Sequence, residues 1–98
     1  MKRVRVVVPW PTGIHLRTAA VLVRVVRGFR ASAVARCAGD AADLRSALSV
    51  MALCATMGTP LVVEADGEDE EAVIQAVQQV FASDLHLDAT EGTRGVPG

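Results

Sequence analysis

The residues best suited to chemistry lie in residues 11–20, where a turn is followed by a helical pattern. Pro11 and Gly13 favour the turn, and His15 follows where the helical pattern begins. Imidazole is a nucleophile near neutral pH. The first N–H groups of a helix have no partner inside the helix and carry partial positive charge. A histidine there, with Arg17 two residues on, therefore suits the transfer of a phosphoryl group.

A plainer interpretation of His15 is a helix cap or a surface residue, and spacing alone does not exclude it. The other histidine, His86, has no chemical partners nearby in sequence and is assigned no role. Cys37 and Cys54 are too far apart for a CxxC motif and have no clustered histidines, so both are interpreted as small apolar residues. No metal, disulfide or cofactor is predicted.

The composition indicates one domain with an aliphatic core. Of the 98 residues 51% are hydrophobic, but only one Trp and two Phe are aromatic. No apolar run approaches the roughly 20 residues that span a bilayer, and the N-terminus lacks a secretory signal. These features predict a cytoplasmic protein without a membrane partner.

Charge is distributed unevenly along the chain. Residues 1–45 carry nine of the ten basic groups, and residues 46–98 carry nine of the eleven acidic groups. This split predicts a basic functional face. Nucleic acid is a possible target of such a face, but the interleaved aromatic residues of a single-strand binder are missing, so a nucleic-acid partner is not predicted.

Hydrophobic periodicity predicts seven elements in the order β-α-β-β-α-β-α. Strands are predicted at 2–8, 29–38, 41–44 and 61–66, and helices at 16–27, 46–55 and from 68 to about 83. The expected fold is α+β, an open-faced sandwich in which three helices cover one face of a four-stranded antiparallel sheet. The domain is expected to span residues 1–85, with residues 86–98 forming a disordered tail.

Three local expectations follow from the same patterns. Helix 16–27 is closed by Gly28 and should turn Ala19, Leu22, Val23 and Val26 toward the core. The second helix is apolar nearly all round, so it is either buried on every side or keeps one face for a partner. Trp10 could pack over the histidine or cover the sheet edge.

Several segments together resemble the HPr family, the histidine phosphocarriers of the bacterial phosphotransferase system. Residues 13–17, Gly-Ile-His-Leu-Arg, resemble the active-site segment of that family, and residues 44–53 resemble its second signature. Gly58-Thr59 and residues 64–70 also match. The similarity extends over roughly residues 4–83, and the family has the same order of elements.

The resemblance implies that the chain is a phosphoryl carrier rather than an enzyme. His15 would accept the phosphoryl group on Nδ1 from phosphorylated enzyme I, which is charged by phosphoenolpyruvate, and pass it to an enzyme IIA. Arg17 would neutralise the phosphoryl oxygens, and the backbone N–H groups of Leu16, Arg17 and Thr18 would hold the group. A monomer without cofactors is expected.

Position 18 departs from the family, which usually has proline there. Thr18 restores a backbone N–H and adds a hydroxyl, either of which could bind phosphate. The loss of the proline ring should also loosen the turn, so the transfer potential could differ from that of a typical member.

The resemblance also implies a docking surface and a regulatory alternative. In the family, the start of the first helix and the second helix dock partners, which here gives Ala20, Arg24, Arg27, Ala47, Leu48 and Met51. An apolar patch rimmed by arginines suits acidic partners. Alternatively, the chain is a regulatory binding module controlled at Ser46 by an HPr kinase/phosphorylase, although a helix N-cap explains a serine there equally well.

Overall fold

The protein is described by a computed structural model over residues 1–83, and the predicted disordered tail lies outside the described residues. The strands are β1 (Lys2–Val7), β2 (Ala31–Cys37), β3 (Asp40–Asp43) and β4 (Pro60–Gly67), and the helices are α1 (Leu16–Arg27), α2 (Ala47–Ala52) and α3 (Glu70–Ala82). The predicted order is confirmed. Most bounds agree within one or two residues, and α2 is the element that differs most.

The four strands form one antiparallel sheet in the order β1-β4-β2-β3. One row of cross-strand partners runs through all four strands: Val4 pairs with Val63, Val63 with Ala35, and Ala35 with Ala42. Side chains alternate between the faces of a strand, so this row lies on a single face. Val63, Ala35 and Ala42 are each at most 1% exposed, which identifies this face as the one that the core covers.

The helices cover that face and leave the other open, as predicted. The buried side of α1 carries the four expected apolar residues, Ala19, Leu22, Val23 and Val26. It also carries one polar side chain, that of Thr18. The buried side of α3 carries Val73, Ile74, Val77, Val80 and Phe81. No helix within residues 1–83 has both the length and the apolar character that a membrane crossing requires.

On the open face of the sheet, Glu64 lies between two arginines from neighbouring strands. Its carboxylate is 2.9 Å from Arg36 Nε and 3.0 Å from an Arg3 guanidinium nitrogen. The hydrogen bond from Arg36, supported by both positive charges, lowers the pKa of Glu64. Because acidic β4 lies between basic β1 and β2, part of the charge asymmetry along the chain is cancelled on this face.

The second helix is shorter than predicted. It ends at Ala52 rather than at residue 55, because Cys54 adopts a left-handed backbone with φ +52°. Cys37 is half-buried and packs against the core, whereas Cys54 is exposed. Packing therefore supports the interpretation as a small apolar residue for Cys37 alone.

Trp10 lies in the core rather than over the histidine. It is 1% exposed, and its ring centroid is 5.0 Å from that of Phe81 on α3. Its indole N–H donates a hydrogen bond of 3.0 Å to the Ser83 carbonyl oxygen. A buried indole needs a partner for its one N–H, and the end of α3 supplies it. Trp10 therefore anchors the loop that follows β1 to the end of α3.

Candidate functional site

The loop between β1 and α1 is tied to the loop between α2 and β4. Val8 N–H donates to the Thr59 carbonyl at 3.0 Å, and Gly58 N–H donates to the Val8 carbonyl at 2.8 Å. Further along, Ile14 N–H donates to the Ala55 carbonyl at 2.9 Å. These bonds hold the residue immediately before the histidine, so the position of the imidazole is set by two loops rather than by one.

Gly13 is required by this arrangement of loops. Its φ is +71°, a backbone conformation that side chains disfavour. A Cβ at this position would also lie 2.5 Å from the Ala55 carbonyl oxygen and 3.0 Å from the Thr56 Cα, closer than packed atoms approach. The glycine therefore permits both the turn and the close contact with the loop between α2 and β4.

His15 is the N-cap residue of α1. Its backbone is extended, with φ −123° and ψ −173°, and its side chain is half-buried. The Arg17 N–H donates to His15 Nδ1 at 3.2 Å. In neutral imidazole this bond requires the ring proton to be on Nε2, so the Nδ1 lone pair faces the free N–H groups of the helix. No acidic residue lies in the first turn of α1.

Thr18 holds the backbone of the histidine instead of facing the site. Its hydroxyl accepts a hydrogen bond from the His15 N–H at 2.9 Å and donates one to the His15 carbonyl at 3.0 Å. The residue is 1% exposed. This side chain therefore forms a reciprocal cap at the helix start. Both hydrogen-bonding roles of the hydroxyl are used on the His15 backbone, so the predicted contact of the hydroxyl with phosphate is not prepared in this structure, and the predicted loosening of the turn stays a prediction.

Beside the imidazole lies an open depression of about 640 Å³ along the first two turns of α1. Its lining includes His15, Leu16, Arg17, Ala20 and Arg24, which brings together five of the predicted site residues. The side chains of Arg17 and Arg24 are exposed. The depression can therefore admit an anionic group carried on the surface of a partner protein.

The predicted docking residues fall into separate groups. Arg27, the last residue of α1, lines a second depression about 16 Å along the helix axis from the start of α1. On α2, Leu48 is 83% exposed, whereas Ala47 and Met51 are half-buried and pack against the core. The helix is therefore not buried on every side, and that one of its faces is kept for a partner stays a prediction.

Two contributions to the site were not found in the sequence. The Leu16 side chain, 64% exposed, extends the apolar surface beside the imidazole. The Ala55 carbonyl supports the active loop. The match of Gly58-Thr59 to the family was the one signal in the sequence for the loop between α2 and β4 that supports Ile14.

Ser46 is the N-cap residue of α2. Its hydroxyl accepts a hydrogen bond from the Ser49 N–H at 3.3 Å, and the residue is half-buried. The structural part of the interpretation, a serine that caps the helix, is confirmed.

The fold and the site define a class of small open-faced sandwiches that present a capping histidine at the start of their first helix. A family model described as the PTS HPr component phosphorylation site matches residues 2–83. The chain belongs to the HPr family of the phosphotransferase system.

Individual relatives agree with this assignment. The chain is 33% identical over 76 residues to the phosphocarrier protein HPr of Xylella fastidiosa (strain Temecula1), covering 78% of this chain and 85% of that one. It is 36% identical over 70 residues to the phosphocarrier protein HPr of Haemophilus influenzae, covering 71% and 79%. The crystal structure of HPr-C-His from Thermoanaerobacter tengcongensis superimposes with a TM-score of 0.84 at 26% identity, covering 89% of this chain and 98% of that one.

Proposed function

We propose that the chain accepts a phosphoryl group on His15 Nδ1 from phosphorylated enzyme I and passes it to an enzyme IIA. The observation that carries this proposal is the bond from the Arg17 N–H to Nδ1. It aims the nucleophilic lone pair at the end of α1 that favours anions. Membership of the HPr family, whose model is described as a phosphorylation site, supports phosphorylation of the chain.

The transfer step requires one rearrangement at the histidine. As Nδ1 forms a bond to phosphorus, the bond between phosphorus and the donor atom breaks, and the proton on Nε2 can leave to water to restore a neutral ring. Nδ1 then no longer accepts from the Arg17 N–H, so the ring swings aside and a phosphoryl oxygen takes its place. The Thr18 hydroxyl contacts only the His15 backbone, so the cap survives this change.

The first turn of α1 stabilises the negative charge of the phosphoryl group. The backbone N–H groups of Leu16, Arg17 and Thr18 have no i−4 carbonyl inside the helix. The Arg17 guanidinium lines the same depression and can reach two oxygens at once. Such preorganised donors stabilise a developing charge by a few kcal/mol each. The imidazole remains a good leaving group, which keeps the transfer reversible.

The surface around His15 supports transient docking of acidic partners. Leu16 and Leu48 present exposed apolar side chains, and Arg17 and Arg24 lie on the rim of the depression. The two helices that carry these side chains, α1 and α2, pack against each other. Apolar contact then supplies affinity, whereas the arginines accelerate the encounter. Ala20, Ala47, Met51 and, at the far end of α1, Arg27 complete the proposed surface.

The proposal is tested by incubating the protein with enzyme I and phosphoenolpyruvate. We expect one acid-labile, base-stable phosphate per chain, and none on His15→Ala. Label that persists on the variant, for example on His86, would contradict the assignment of the acceptor. A His86→Ala variant, which should be labelled normally, is the matched control.

A further inference from the structure

The end of α3 lies next to the loop that carries His15. The Trp10 indole, in that loop, donates its hydrogen bond of 3.0 Å to the carbonyl oxygen of Ser83, the residue that follows α3. At its other end α3 begins beside Asp69, whose carboxylate accepts a hydrogen bond of 2.7 Å from the Arg30 N–H, just beyond the end of α1. The two helices therefore run in opposite directions, and the chain leaves α3 at the end of the molecule where the imidazole lies.

The residues that follow Ser83 in the sequence are acidic and partly apolar. Residues 84–91 read Asp-Leu-His-Leu-Asp-Ala-Thr-Glu, with three carboxylates, two leucines and no lysine or arginine. These residues lie outside the described part of the chain, which fixes only where they start. Such a composition favours a basic surface that also exposes apolar side chains.

The depression beside His15 is within reach of this segment. His15 follows Trp10 by five residues, and even an extended loop of that length spans less than about 18 Å. The depression follows the first two turns of α1, which is about 11 Å of helix. The eight residues 84–91 span up to about 26 Å when extended. The segment can therefore reach the depression without any change in the described part of the chain.

The lining of the depression matches the composition of the segment. Arg17 and Arg24 supply two guanidinium groups, and neither has a carboxylate oxygen within 4.0 Å in residues 1–83. The remaining lining residues carry no carboxylate and are Thr12, His15, Leu16, Ala20 and Val21. Carboxylates of the segment can therefore pair with the guanidinium groups while its leucines cover the apolar part of the lining.

Other arginines fit an acidic segment from Ser83 less well. Arg3 and Arg36 already share Glu64, and they lie on the open face of the sheet, which the helices do not cover. Arg27 lies at the other end of α1, about 16 Å along the helix axis from its start. The depression beside the imidazole is therefore the basic surface that the segment meets first.

We propose that residues 84–91 bind this depression intramolecularly and compete with partner proteins for the surface around His15. The inference rests on the proposed function, because the surface that the segment covers is the one that partners are proposed to use. Attachment at Ser83 gives the segment an effective concentration in the millimolar range, so weak pairing is sufficient for partial occupancy. Occupancy should fall as salt rises. It should also fall after phosphorylation, since the phosphoryl group adds negative charge beside the same arginines.

A nitroxide spin label on Thr90→Cys locates the segment in the full chain. Cys37→Ala and Cys54→Gly first remove the native thiols, and glycine suits the left-handed backbone at residue 54. At low salt we expect the label to broaden the amide NMR signals of Arg17 and Ala20 most strongly. Broadening centred on the open sheet face, or an absence of broadening, would overturn the proposal.

Neutralising the segment separates binding from mere proximity of the label. The neutral-segment variant combines Asp84→Asn, Asp88→Asn and Glu91→Gln, and the broadening should decrease at least about threefold in it, as it should in the labelled chain at high salt. Broadening that persists unchanged would contradict binding through charge. The matched control combines three exposed carboxylates without ion pairs in residues 1–83, namely Asp40→Asn, Glu68→Gln and Glu71→Gln. An equal decrease in this control would show a response to net charge only and would overturn the proposal.

Phosphoryl uptake from enzyme I tests the competition. The neutral-segment variant should lower KM for uptake about threefold at low salt with little change in kcat, and the difference should disappear at high salt. An unchanged KM at low salt would overturn the competition even if the label broadens the expected signals. A lack of uptake by every chain would contradict the proposed function instead, and the label would still decide where the segment binds.

Discussion

Thr18 and His15 are joined by two hydrogen bonds in opposite directions. The threonine hydroxyl accepts from the His15 N–H at 2.9 Å and donates to the His15 carbonyl at 3.0 Å. A family that usually has proline at this position fixes the helix start through a restricted φ. In this chain a side chain performs that task, so the backbone of the nucleophile is held by hydrogen bonds that a substitution can remove.

Replacing Thr18 with Val should destabilise the domain by about 1–3 kcal/mol, because the His15 N–H loses its partner while the side-chain volume is kept. Urea unfolding measures the free energy, and hydrogen exchange of the His15 amide should become faster. Thr18→Ser keeps the hydroxyl and should retain most of the protection. An unchanged His15 exchange rate in Thr18→Val would contradict the proposed cap.

Arg17 and Arg24 should differ in the kinetic parameter that they control. Arg17→Ala removes a charge beside the phosphoryl group, so we expect kcat of phosphoryl uptake to fall about 100-fold or more. Arg24 lies two turns further along α1, and Arg24→Ala should raise KM by at most about tenfold with little change in kcat. Both side chains are exposed, so both variants should fold. Similar losses in kcat for both would mean that Arg17 only docks partners.

The predictable parts of the fold were those with a repeating pattern. The apolar face of α1, from Ala19 to Val26, followed from helical spacing, and the alternation around Val63 identified its strand. The end of α2 did not follow, because one left-handed residue, Cys54, stops the helix without a glycine or proline.

The candidate site was predictable in its residue types but not in its contacts. His15 at the start of α1 and Arg17 beside it were visible in the sequence. The role of Thr18 depends on which way a hydroxyl points, and the support from Ala55 depends on a contact between two loops. Trp10 was uncertain for the same reason, because its partner, the Ser83 carbonyl, is 73 residues away.

The ion pairs of Glu64 should make the free energy of unfolding depend on pH in the acidic range. The pKa of Glu64 in the folded protein is lowered from 4.5 by the hydrogen bond from Arg36 and the nearby charges. The ionised Glu64 therefore stabilises the folded state fully above about pH 4.5, and this stabilisation is lost as pH falls through the lowered pKa. The free energy of unfolding should therefore decrease below about pH 4.5, and Glu64→Gln should flatten that decrease.

Urea unfolding across this pH range measures the effect of Glu64. The control is Glu71→Gln, which removes an exposed carboxylate that has no ion pair within residues 1–83. A Glu64→Gln variant with the same acid dependence as the unmodified chain would show that the paired arginines do not stabilise the folded state.

A negative charge at Ser46 should affect docking rather than folding. Aspartate is a good N-cap, so Ser46→Asp should keep the stability of α2. The added charge would oppose acidic partner surfaces, so KM for phosphoryl uptake should rise, and the effect should shrink as salt screens the charge. Ser32→Asp adds the same charge on β2 and is the control. If Ser46→Asp takes up phosphate as fast as the unmodified chain at low salt, Ser46 is only a cap.

The nitrogen NMR spectrum of the phosphorylated imidazole tests the central claim most directly. After incubation with enzyme I and phosphoenolpyruvate, we expect coupling between phosphorus and Nδ1 of His15. The Arg17 amide, which donates to Nδ1 in the free protein, should shift as it takes a phosphoryl oxygen as its acceptor. Phosphorus coupled to Nε2, or an Arg17 amide that does not change, would contradict the account.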